Sequence, residues 1–141
     1  MSRRSQIALA LALLLFALNA WICRELFTAD FVGNLLSIEG IFASLGRFFR
    51  EHPFDYRWFP WFNAGMATEH AYPPLLPMLS GLTAAVTGWP DSRALHFILA
   101  FAYCCGPVTL FWLAWDWSES LTLSLSAAFA FSLTSPAEWL A

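Results

Sequence analysis

From Ala94 to Trp115 the chain carries no Asp, Glu, Lys or Arg. At about 1.5 Å per residue, a helix of that length crosses a hydrocarbon core of about 30 Å. Ile7–Cys23 is a second such run, interrupted only by Asn19. Composition removes the soluble alternative. The chain is 59% hydrophobic and 12% charged, where a soluble domain is about 45–50% apolar and about 25% charged. Too little polar surface is left to coat a water-soluble globule, so lipid is the natural solvent. The 8 Trp and 14 Phe suit a chain whose rings sit at headgroup level.

Two further spans are expected. Tyr72–Trp89 opens with Pro73 and Pro74, which a helix tolerates in its first turn because those N–H groups lack partners. Pro77 falls near that turn, and Ser80-Gly81 and Ala84-Ala85 permit close helix packing. The connection Gly88–Arg93 leads into the Ala94–Trp115 span, where Gly106-Pro107 predicts a kink and His96 lies near one end as an interfacial or internally satisfied histidine. Asp116 and Glu119 have capping-box spacing ahead of a short fourth span, Ser120–Leu133.

The basic tail before Ile7–Cys23 also fits a cleaved signal peptide. Against that, the run is longer than a usual signal core, and cleavage after Ala20 would place Leu18 where a small residue is needed. The run reads as an uncleaved first span. Arg3, Arg4 and, on the same side, Arg93 argue for a cytoplasmic N-terminus and an extracytoplasmic stretch 24–71, while Arg24, Arg47, Arg50 and Arg57 argue by number for the reverse. The basic tail of the first span usually dominates, so the N-terminus is expected inside.

The stretch 24–71 is the one long segment that is neither span nor short turn. From Asp30 the apolar positions Phe31, Leu35, Ile38, Ile41, Phe42 and Leu45 recur mostly at intervals of three and four. That is an amphipathic helix over about Asp30–Arg50, lying along the interface or covering other helices, with Asp30 as its cap and His52-Pro53 as its stop. An aromatic stretch with no clear period follows, with a turn signal at Asn63-Ala64-Gly65 and interfacial anchoring as its expected role. The fold class is therefore all-α: a polytopic transmembrane helical protein of about four spans (7–23, 72–89, 94–115, 120–133) with one extramembrane amphipathic helix.

Several functions are excluded or disfavoured. All 7 cations are Arg, they form no basic run, and the net charge is −3, so nucleic acid is not a partner. The chain has no phosphate-loop or dinucleotide glycines and no zinc-type Cys/His spacing. Cys23, Cys104 and Cys105 lie in apolar runs and read as buried thiols packing like small hydrophobes. A transporter would want ionisable groups at mid-bilayer, and the spans hold none there. Membrane lipid is the one partner that composition implies.

The ordered residues Asp30, Arg57-Trp58 and Tyr72-Pro73-Pro74 resemble steps in the N-terminal part of bacterial 6-pyruvoyl-tetrahydropterin-synthase-related membrane domains, within the broad GT-C class of glycosyltransferase-like proteins. In that family an acidic residue follows the first span, an Arg-Trp step lies within the loop, and Tyr-Pro-Pro opens the next span. The resemblance covers roughly residues 1–115. It departs at Asn34, where a histidine is usual, and at Met66–Ala71, where the family is rich in Gly and Tyr.

The resemblance implies sugar transfer from a polyprenyl-phosphate-linked donor at the outer face of the bacterial cytoplasmic membrane. It makes Asp30 the catalytic carboxylate, as base or as metal or substrate ligand. Arg57, Glu69, His70 and Tyr72 are the substrate-binding candidates. No cofactor is required by it, though a divalent metal is compatible. Because GT-C proteins carry many more spans, it also implies the N-terminal portion of a longer protein. The competing readings are a non-enzymatic membrane scaffold or lipid-interacting subunit, and Asp30 as a helix cap only.

Overall fold

Helix α1, Arg3–Ile22, covers nearly all of the run Ile7–Cys23. The computed structural model describes residues 3–30, 39–53, 57–61, 64–68 and 73–134. In chain order the other elements are α2 (Glu39–Glu51), a two-stranded hairpin of β1 (Trp58–Phe59) and β2 (Met66–Ala67), α3 (Leu75–Thr87), α4 (Asp91–Ser118) and α5 (Leu121–Thr134). The described chain is mostly helical, as the sequence predicts. Two helices, α1 and α4, are long and apolar enough to cross a membrane; α3 and α5 are shorter apolar helices.

The chain divides into two units, one of residues 1–24 and 100–141, the other of residues 25–99. In the first, α1, the later part of α4 and α5 share a core of Ala8, Ala12, Leu15, Phe111 and Ala128. Small residues on α1 and α5 let a single large ring, Phe111, fill the space between the helices. Gly106 serves the same end, because a Cβ there would meet the Phe131 ring at 2.6 Å. Asn19, the one polar break in the run Ile7–Cys23, is wholly buried. Its amide Nδ2 donates to the Leu15 carbonyl at 2.8 Å and to Ser132 Oγ at 3.0 Å. The expected capping box at Asp116 and Glu119 does not form. α4 continues through Ser118, Glu119 takes a left-handed φ of 51° in the turn, and Ser120 Oγ accepts from the Leu123 N–H instead.

The second unit is built on α2 and α3. Only the second half of the helix expected at Asp30–Arg50 is described as α2; residues 31–38 lie outside the described residues. The Phe-rich face of α2 does not lie bare. Leu45, Phe48 and Phe49 bury together with Phe59 of the hairpin, flanked by Ile41 and Met66. α2 and α3 approach closest at Gly46 and Gly81. A Cβ on Gly46 would meet Ser80 Oγ at 2.5 Å, and one on Gly81 would run into the Gly46 carbonyl oxygen.

A short hairpin, not expected from the sequence, sits within this otherwise helical chain. Trp58 pairs with Ala67 and Phe59 with Met66, antiparallel. The turn signal is realised as positive φ at Ala64 (61°) and Gly65 (109°), and Trp58 covers the space a Gly65 side chain would need. α3 is shorter than the span expected over 72–89. Its first residue follows Pro74, and Gly88, left-handed at φ 73°, ends it by donating its N–H to the Ala84 carbonyl. Its 13 residues make a rod of about 20 Å, short of a hydrocarbon core of about 30 Å.

Candidate functional site

The polar residues of the second unit gather where α4 begins. Asp91 opens α4, suited to the positive end of the helix dipole. Arg93 and His96, three apart, share a face of its first turns. α2 supplies Glu39 from its first residue and Arg50 from its last turn. Arg50 Nη2 donates to Asp91 Oδ2 at 3.0 Å.

His96, with its side chain only 4% exposed, is held at both ring nitrogens. Nε2 lies 2.7 Å from Glu39 Oε1, and Nδ1 lies 2.9 Å from the carbonyl oxygen of Ala29. Glu39 Oε1 is buried and accepts no hydrogen bond among the described residues, so its approach to His96 is a close contact without hydrogen-bond geometry. Through Nδ1, His96 fixes the backbone immediately before Asp30.

Asp30 is 67% exposed, and its Oδ1 lies 4.0 Å from Arg93 Nε. That is an ion-pair distance and too long for a hydrogen bond. Arg93 Nε is buried without an acceptor among the described residues, and its guanidinium lies 4.7 Å from the centroid of the Trp89 ring. Trp89 in turn meets Phe97 edge-on, and Phe97 meets Phe27 in the same way. Asp30 is thus an open carboxylate beside a cation that is stacked in place. The capping role expected of Asp30 falls on residues 31–38, which lie outside the described residues.

The other expected site residues fare differently. Arg57 is exposed at the hairpin, where its carbonyl accepts the Thr68 N–H at 3.1 Å. No ion pair or hydrogen bond among the described residues links its side chain to Asp30. Glu69, His70 and Tyr72 lie outside the described residues. Sequence reasoning passed over Glu39, Arg50, Asp91 and Arg93. The available signal was the acidic residue and the Arg three positions before His96 at the mouth of a long apolar run. Among the described residues no three His, Cys, Asp or Glu side chains converge as metal ligands. Two shallow, mostly apolar hollows of about 270 and 280 Å³ are lined by residues of the first unit, such as Trp115 and Phe131, and by none of this polar cluster. The chain matches no protein-family model, no curated protein and no solved structure.

Proposed function

We propose that the chain is the N-terminal membrane portion of a GT-C-like glycosyltransferase. It would transfer sugar from a polyprenyl-phosphate-linked donor at the outer face of the bacterial cytoplasmic membrane, with Asp30 as its functional carboxylate. The observation that carries this reading is the state of Asp30: exposed, without a hydrogen bond from the described residues, and anchored through Ala29 to a buried His96–Glu39 pair. A carboxylate so held is free to accept an acceptor hydroxyl's proton or to bind a metal. Arg93 beside it, and Arg57 on the loop, offer positive charge to a leaving phosphate. The ordered Asp30, Arg57-Trp58 and Tyr72-Pro73-Pro74 steps support the same reading.

This reading carries a topology. α1 crosses outward, and α4, whose 28 residues measure about 42 Å, crosses back with its polar first turns projecting beyond a core of about 30 Å. Arg50 at the end of α2 pairs with Asp91 at the start of α4, so both belong to one membrane face. α3, short and bounded by those two contacts in sequence, then lies on the outer face with α2 instead of crossing. α5 begins the next crossing.

The test is sugar transfer by the full-length protein in liposomes containing a polyprenyl-phosphate sugar. Asp30→Asn keeps size and removes charge, and is expected to lower turnover by about 100-fold or more. A second reading, a non-enzymatic scaffold, is favoured by the pairing of Arg50 with Asp91 and the packing of His96 against Glu39. On that reading Asp30→Asn keeps wild-type behaviour and Asp30→Ala changes stability alone.

A further inference from the structure

Cys23 and Cys104 are 81 residues apart in sequence, yet their sulfurs lie 3.5 Å apart. Both thiols are free. Cys23 follows the last residue of α1, is partly exposed, and directs its thiol also to the Asn19 carbonyl at 3.0 Å. Cys104 is wholly buried within α4. Cys105, one position on, is turned about 100° around the helix axis and does not share this contact.

We propose that Cys23 and Cys104 are a disulfide-forming pair that fastens the end of α1 to α4. A low-molecular-weight or protein disulfide is the oxidant. The accessible Cys23 sulfur attacks it, forming a mixed disulfide and releasing one thiol of the oxidant. The Cys104 sulfur then attacks the Cys23 sulfur and releases the second thiol. Two cysteine thiols lose two hydrogens in all, and one oxidant disulfide becomes two thiols. Closure from 3.5 Å to a bond of about 2.05 Å asks for a small approach of side chains already in contact. The order of events follows from burial: the exposed partner meets the oxidant, and the buried one resolves the adduct. The new bond also withdraws the S–H donor from the Asn19 carbonyl, so the bonding at the end of α1 changes with redox state. None of this depends on the transferase reading, because neither thiol takes part in that chemistry.

The experiment is mass spectrometry of the whole chain, purified in detergent and equilibrated with glutathione disulfide, with thiol alkylation before digestion. The wild type and Cys105→Ser are expected to lose two hydrogens and to yield a linked peptide pair containing Cys23. Cys104→Ser is expected instead to retain glutathione on Cys23. The oxidised wild type is expected to melt at a higher temperature, with the gain lost on adding dithiothreitol. Absence of an intramolecular link in the wild type would overturn the proposal. So would a link that persists in Cys104→Ser and vanishes in Cys105→Ser, or one that joins two chains.

Discussion

Glu39 and His96 meet at 2.7 Å, and the other nitrogen of the same ring meets the Ala29 carbonyl at 2.9 Å. One buried side chain thus joins α2, α4 and the residue preceding Asp30. Removing the ring leaves the Ala29 carbonyl without its hydrogen-bond partner and the mostly buried Glu39 carboxylate without the ring beside it. His96→Leu is expected to cost about 1.5–3 kcal/mol. The double variant His96→Leu with Glu39→Leu should cost less than the sum of the singles, because no orphaned charge remains. Thermal unfolding in detergent across the four proteins measures this, and strictly additive losses would show that the pair is not coupled.

The α2–α3 crossing leaves no room for a side chain at Gly81. Gly81→Ala drives a methyl against the Gly46 backbone, and overpacking of this kind costs about 1–3 kcal/mol. Gly40 is the control, because a methyl added there would meet nothing within 4 Å. Gly40→Ala should be neutral or slightly stabilising. Equal melting temperatures for the two variants would mean that the helices can separate without cost.

The proposed topology changes what labelling should report. A crossing at 72–89 would put Ser44 and Ser92 on opposite faces. With α3 held outside, single cysteines at both positions, in a background lacking the native three, should react with a membrane-impermeant maleimide in intact cells. Reaction at Ser44→Cys alone would restore the crossing, and reaction at Ser92→Cys alone would invert the whole chain.

On the exposed side of α2, Arg47 Nε donates to Glu51 Oε1 at 2.8 Å. That hydrogen bond holds the Glu51 carboxyl below the usual carboxylate range and raises Arg47 in return. The sign follows from the lowered value. The pair's contribution is present above the ordinary carboxylate range and is lost as pH falls through the folded-state value. Because the pair is solvent-exposed, the effect on stability is small. An NMR titration of Glu51 should show a low midpoint that returns to the ordinary range in Arg47→Gln.

The long apolar runs made α1 and α4 legible from sequence, since length and the absence of charge decide the matter. The end of α2 was legible for a similar reason: His52-Pro53 stops any helix. α3 was not. Its apolar character runs on to Trp89, and only the left-handed Gly88, bonded back to Ala84, shows where the helix closes. The hairpin was hidden because Trp58 and Phe59 gain their strand partners from across a turn, not from any alternation of their own. The polar cluster was hidden more deeply. Asp30, Glu39, Arg50, Asp91 and Arg93 are ordinary one at a time, and their pairing exists only after α2 and α4 have packed. His96 was legible as a satisfied histidine, but its partners were not.

Asn19 carries a consequence for how the protein is made. Its amide bonds to Ser132, 113 residues downstream. A ribosome working at about 5–20 residues per second needs roughly 6–23 s to reach that partner. Until then the Asn19 amide has only the Leu15 carbonyl of its own helix to bond. Early in synthesis this helix is therefore the one most open to capture by an insertion chaperone or a quality-control protease. Emergence of α5 ends that window.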